Sequence, residues 1–457
     1  EAQILKAFND ANQTSVEPYV DKVVDRPLID PITAKGKVAK KEVNKQLNFE
    51  TWTLSNGVKV VIKQTDFKAD EITMNAESFG GYSKLPVKDV VTAKNISGVM
   101  AESGLGNYDA TELQKYMNGK NVSVMPYISL YEEGFYGSCG VSDFENMLEI
   151  VNAFFTHPRF SEDAFASYLE KQKGALENQM LDPQSAWSDT LRWMLANHSE
   201  YSRPMTPEML DEINFKNMSK IYKGRFSDPC NFTFYFVGNI DKKVAKPLVE
   251  KYLGSLETVE RNETFTDLGI RPPKGAIEKE VKKGKDAKCM EMMLFHGDFG
   301  ATAQEVTDLE FACEILSTRL LEEIREKESG VYTIGAYPQV SRIPNNDYIV
   351  QLFYSCDPER EPELKAKIFE VIKSLQTNGI TQSDVTKAIE KTVRTHETEI
   401  RENYYWKSVI AMVVKGYITT EDVLNENARN SAVTVESVKA AMNKYLDFNN
   451  YIIVKLG

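Results

Sequence analysis

Apolar residues along this chain recur at two spacings. Val306, Leu309, Ala312, Cys313, Leu316, Leu320 and Ile324 follow one another at helical steps, which predicts an amphipathic helix that buries this stripe, with Gly330 as its C-terminal stop. WTLSNGVKVVIKQ, from Trp52 to Gln64, carries two β-rich runs around Ser55-Asn56-Gly57 and predicts a hairpin. The opening EAQILKAFNDANQ reads as the tail of an amphipathic helix continuing from sequence upstream. A Lys-rich stretch punctuated by Pro18, Pro27 and Pro31 follows and reads as a linker or strap through residue 47.

The same pattern occurs twice. ITMNAESFG ends at Gly80 and MMLFHGDFG at Gly300, an offset of 220. VNAFFTHPRFSEDAF begins at Val151 and VIKSLQTNGITQSDV at Val371, again an offset of 220. The strand ending at Cys139 answers the one ending at Cys356, and FTFYFVGN answers YIIVKLG. Four matches in one order at nearly one spacing describe a duplicated unit. The polar boundary carries Pro272-Pro273. The reading is therefore a strap at 1–47, a first unit at 48–258, a linker at 259–277 and a second unit at 278–457. In each copy strands cluster ahead of paired helices, which predicts α+β architecture: a mostly antiparallel or mixed sheet with helices on one face.

Composition narrows the function. Against 55 Lys plus Arg stand 67 Asp plus Glu, a formal charge of −12 over 457 residues, and bulk repulsion of phosphate disfavours nucleic acid as a partner. No apolar run reaches the roughly 18 residues needed to span a bilayer, so the expectation is a soluble protein. The five cysteines form no C-x-x-C pair and read as small buried hydrophobes.

Conventional catalytic signatures are missing. No phosphate loop, dinucleotide fingerprint or G-x-S-x-G elbow occurs, and the four histidines, His157, His198, His296 and His396, make no H-x-x-E-H or related motif. No catalytic or metal-ligating residue is assigned. One juncture stands out. In RLLEEIREKESGVYTI, Arg325 closes the predicted helix and Tyr332 opens the next strand, so helix, turn and strand bring both polar tips to one rim. There a guanidinium fork and a phenol could hold a carbonyl or carboxylate of a bound chain. On these residues alone, Arg325 could equally complement the helix dipole and pair with a neighbouring Glu.

The succession LSNGVKVVIK, SFGG, SGLGNYDATELQKYM, GKNVSVMPYI, NQMLDP, YKGRF, FTFYFVGNID and YLGSL resembles the pitrilysin/insulinase family of zinc peptidases, and RLLEEIREKESGVYTI resembles its C-terminal substrate-binding signature. The resemblance implies the metallohydrolase fold of the pitrilysin and mitochondrial processing peptidase type, in which two halves of two domains close around an unfolded peptide. It puts the zinc-motif positions near Asn95-Ile96-Ser97-Gly98-Val99, where both histidines and the general-base Glu are absent; Glu177 resembles the third ligand. It thus implies the non-catalytic C-terminal half, domains three and four, of a bacterial zinc metallopeptidase. By the same resemblance, Arg325 and Tyr332 bind substrate, and the zinc and H-x-x-E-H motif lie in an N-terminal catalytic half. The alternative it leaves is a metal-free scaffold partnering a separate catalytic subunit. A periplasmic or cell-envelope location is the implied compartment.

Overall fold

The computed structural model describes Leu5, Lys6, Phe8 and residues 26–284 and 289–457. Most of the predicted N-terminal helix and the start of the strap lie outside the described residues. Alternating apolar runs form two sheets, as the pattern predicted. The first comprises β1 (Val38–Asn44), β2 (Phe49–Leu54), β3 (Lys59–Gln64), β4 (Ile72–Phe79), β5 (Val122–Ile128), β6 (Glu132–Cys139) and β7 (Thr233–Gly238), in the order β1-β2-β3-β7-β4-β6-β5. The second comprises β8 (Ala276–Val281), β9 (Cys289–Asp298), β10 (Val331–Ser341), β11 (Asp347–Cys356) and β12 (Tyr451–Leu456), in the order β10-β11-β9-β12-β8.

The two sheets share one five-stranded topology, to which the first adds β1 and β2. Each has a single parallel pair, β3 with β7 and β8 with β12, and is otherwise antiparallel. Strands matched in the sequence repeat occupy equivalent places: β4 with β9, β6 with β11, β7 with β12. The hairpin turns at Ser55-Asn56-Gly57, with Gly57 at φ 86.

Two local expectations need correction. The segment read as strap contains β1, which pairs with β2; VAKKEVN is exposed along most of its length, so it adds to the edge through its backbone and carries no apolar alternation. The amphipathic helix runs Ala303–Leu320 and then widens into a π-helical turn, Leu321–Lys327. Ser329, at φ 49, takes the left-handed position expected of Gly330. Gly330 is needed for a different reason: a Cβ there would meet the Leu364 side chain at 2.6 Å.

Each sheet buries one face under helices of its own unit and receives on the other a helix from the opposite unit. Trp187 and Met194, on the helix Pro183–Leu195, pack against Leu294 of β9 and Ile452, Val454 and Leu456 of β12. The Trp187 indole N–H donates to the Val454 carbonyl at 2.8 Å. Reciprocally, Ile410 on the helix Asn403–Val414 packs against Phe49, Val61 and Tyr235 of the first sheet. Buried Asn403 anchors this helix, accepting from Thr65 Oγ1 at 2.6 Å and donating to Glu71 at 2.9 Å. The exchange fixes the second sheet on the first.

A buried ion pair closes the turn after β4. Glu133 is fully buried, lies 3.8 Å from Arg225 and accepts the Gly81 N–H at 2.6 Å. Burial, only partly offset by Arg225, pushes its carboxyl up to about 7. A carboxyl raised above its unfolded value stabilises most below that unfolded value and loses the contribution as pH rises through the folded pKa. We therefore expect unfolding free energy to fall by roughly 1–3 kcal/mol between pH 4.5 and 8 on account of this group. Urea denaturation across that range should show the slope flattened in Glu133→Gln.

Candidate functional site

Arg325 projects from the π-helical turn and is exposed. Three of the four glutamates nearest it in sequence are engaged elsewhere, and Glu326 is exposed without an ion pair among the described residues. Glu322 lies 3.7 Å from Arg319, Glu323 pairs with Lys327 at 2.8 Å, and Glu328 pairs with Lys367 at 2.5 Å and Arg360 at 3.6 Å. Arg325 itself has no hydrogen bond or ion pair among the described residues. Its five N–H donors remain available to something from outside.

Tyr332 lies at a break in register. Val331 faces Cys356 on β11 while Thr333 already faces Ser355, so Tyr332 is the extra residue of a β-bulge. A bulge turns successive side chains to the same side: Val331 is buried, and Tyr332 and Thr333 are both exposed. Tyr332 is 72% exposed, and its hydroxyl has no partner among the described residues. β10 is the edge strand of its sheet. A π turn and a bulge thus flank one short loop, and each presents an uncommitted donor to solvent. The chemistry available is donation by a charged fork and a neutral phenol to an oxygen that gains negative charge.

The place where the resemblance set a metal motif is differently filled. Asn95, on the helix Val87–Ser103, donates to the Val91 carbonyl at 2.7 Å and accepts from the Tyr168 hydroxyl at 2.8 Å. The Tyr168 ring lies where a Cβ on Gly98 would stand, 2.5 Å away. Val99 is fully buried in the apolar core. Glu177 is exposed and lines a separate groove with Met180 and Leu181, whereas Leu176 is the residue beside Asn95. An amide, an aliphatic side chain and a phenol already hydrogen-bonded to that amide do not fit a zinc site. His157 and His198 are exposed in separate turns, and among the described residues no three His, Cys, Asp or Glu are grouped to hold a metal ion. Removing the hydroxyl in Tyr168→Phe would leave the buried Asn95 Oδ1 unpaired, and we expect a loss of about 1–2 kcal/mol by chemical denaturation.

The ion pairs that occupy Glu328 were not visible in sequence, because Arg360 and Lys367 reach it from a helix more than thirty residues on. The bulge has no signature in GVYTI. Its trace is in the fold, where a buried Val331 is followed by two exposed residues.

Residues 212–392 match the family described as the Peptidase M16 inactive domain. A "Zinc protease PQQL-like" of Arabidopsis thaliana is 23% identical over 88% of this chain, and a "Probable zinc protease PqqL" of Haemophilus influenzae is 22% identical over 79%. The chain spans 41% and 38% of those two relatives. The crystal structure of the periplasmic protease PqqL from Escherichia coli superposes with TM-score 0.81 at 18% identity, over all of this chain and 50% of that one. The likeness bears out the fold class expected from the repeat.

Proposed function

We propose, on the premise that this chain carries the inactive domain of the M16 peptidases, that it is the non-catalytic half of a zinc metallopeptidase. It closes over an extended peptide, while a half bearing H-x-x-E-H, on the same polypeptide or on a separate subunit, carries out cleavage. The observation that supports this reading is the pair of exposed donors, Arg325 and Tyr332, without partners among the described residues, on either side of one short loop that leads into an edge strand.

The role of each follows from its chemistry. The Arg325 fork and the Tyr332 hydroxyl donate to the scissile carbonyl oxygen, and both bonds strengthen as that oxygen takes on negative charge. The π turn and the bulge set where the two side chains leave the backbone, and substrate binding would order their exposed tips. The absence of a fitting ligand set near Asn95 supports placing the metal elsewhere. Among the described residues no helix is long and apolar enough to cross a membrane. The periplasmic description of the Escherichia coli relative supports a periplasmic or envelope setting for this one.

The test is peptide hydrolysis by the purified chain, with and without an H-x-x-E-H half. The chain alone is expected to leave a fluorogenic peptide intact and to copurify with no stoichiometric zinc. Cleavage by the chain alone, abolished by a chelator, would overturn the proposal.

A further inference from the structure

A second group of uncommitted side chains lies at the other end of the same strands. Along β11 from Cys356 to Asp347 the chain travels about 30 Å, so this end is well removed from Tyr332. There Asp347 of β11 stands directly opposite Asp298 of β9. Like charges in that register repel, and among the described residues neither carboxylate has a hydrogen bond or ion pair. Burial, reinforced by Asp298, pushes the Asp347 carboxyl above its ordinary value despite the opposing pull of Arg271.

Both aspartates line a cavity of about 730 Å³ between the sheet end, the linker and Leu195, within the size range of small-molecule pockets. His296, 5% exposed, lines the same cavity. One of its ring nitrogens bonds the Pro273 carbonyl, and Nε2 is buried without a partner. Burial pushes the imidazole down, so Nε2 stays an acceptor at neutral pH. Asn345 adds a buried Oδ1 that is also unpartnered. Of the cations nearby, Arg271 is committed to Asp267 through two bonds of 3.1 and 2.8 Å, and Lys274 is exposed at the rim. The walls therefore offer acceptors in excess: Asp298, Asp347 and a third carboxylate, Asp447, which accepts from Asn449, all lack an ion pair among the described residues. The described residues provide no three-ligand metal set.

We propose that this cavity binds a cationic amine, an alkylammonium carried by a basic peptide or by a free polyamine, with Asp298 and Asp347 as counter-charges and His296 Nε2 and Asn345 Oδ1 as further acceptors. An ammonium supplies three N–H donors to match such a set, and a charged partner in this register removes the repulsion between the strands.

Calorimetric titration of the full chain with spermidine, and separately with a lysine-containing tetrapeptide and its Nζ-acetylated form, tests this. Saturable one-to-one binding of an unmodified amine is expected, with no binding of the acetylated peptide. Asp347→Asn and Asp298→Asn should each weaken binding roughly tenfold or more, and Lys274→Ala should leave it unweakened. Binding of spermidine alone would identify a free amine as the ligand, and binding of the peptide alone a lysine side chain. The absence of saturable binding, meaning a cavity that holds only water, would overturn the proposal. So would affinities unchanged in both Asp variants, the result expected of non-specific surface charge.

Discussion

Replacing Arg325 by alanine in the assembled peptidase is expected to lower kcat by roughly a hundredfold or more, the usual consequence of removing one donor to a developing oxyanion. The fold should be untouched, because Arg325 is exposed and none of the described residues depends on it for a hydrogen bond or ion pair. Far-UV circular dichroism and the urea midpoint should match wild type. Tyr332→Phe, which removes one oxygen from a side chain that is 72% exposed, should give a comparable loss. KM should move little for either variant, since an interaction formed chiefly in the transition state appears in kcat. If the two donors act on one oxygen, the double variant should lose less than the product of the single losses. Arg325→Lys should recover only part of the rate, because an ammonium keeps the charge and loses the fork. Peptide cleavage at wild-type rates by both single variants would remove the basis for assigning them to substrate.

The second large effect concerns how the two sheets are held together. Trp187→Ala should destabilise the chain by about 3–5 kcal/mol, the cost of truncating a large buried aromatic. It empties the centre of the contact with Leu294, Ile452 and Val454 and removes the indole donor to the Val454 carbonyl. Because this helix is how the first unit reaches the second sheet, coupling between the halves should weaken with it. The expected calorimetric result is one cooperative transition in wild type and two in the variant. Ile410→Ala, on the reciprocal helix, should act in the same direction and cost roughly 2–5 kcal/mol. A single transition with a loss under about 1 kcal/mol in Trp187→Ala would show that the exchanged helix is not the connection.

What could be read from the sequence, and what could not, divides along physical lines. The strands β4, β7, β9 and β12 were legible because buried strands need apolar runs, and two such runs in one order at one spacing announce the repeat. β1 was not, because an exposed edge strand needs only its backbone. The Ala303–Leu320 helix was legible in its stripe. Its π-helical end was not, since Ile324 is buried at 1% and so keeps the helical pattern going while the backbone widens beneath it. Trp187 and Ile410 gave no hint of their partners, because an apolar helical position does not say which sheet will cover it.

The candidate site was legible only in part and only through resemblance. An arginine late in a helix is ordinarily matched to nearby carboxylates. Here Glu322 and Glu323 are taken by cations three and four residues away, and Glu328 by Arg360 and Lys367 from distant sequence. The spacing of Arg325 and Tyr332 could be seen in the letters; that both are left without internal partners could be seen only in the fold. The cavity at Asp298 and Asp347 was invisible for the same reason, because the cross-strand register that opposes two aspartates 49 positions apart is a property of the sheet.

The most direct measurement is a crystal structure of this chain closed with its H-x-x-E-H half around an uncleaved peptide. An Arg325 guanidinium nitrogen and the Tyr332 hydroxyl should each lie within about 3.2 Å of the scissile carbonyl oxygen. Both side chains left in solvent or against the partner half, with the scissile carbonyl held by other donors, would contradict the assignment.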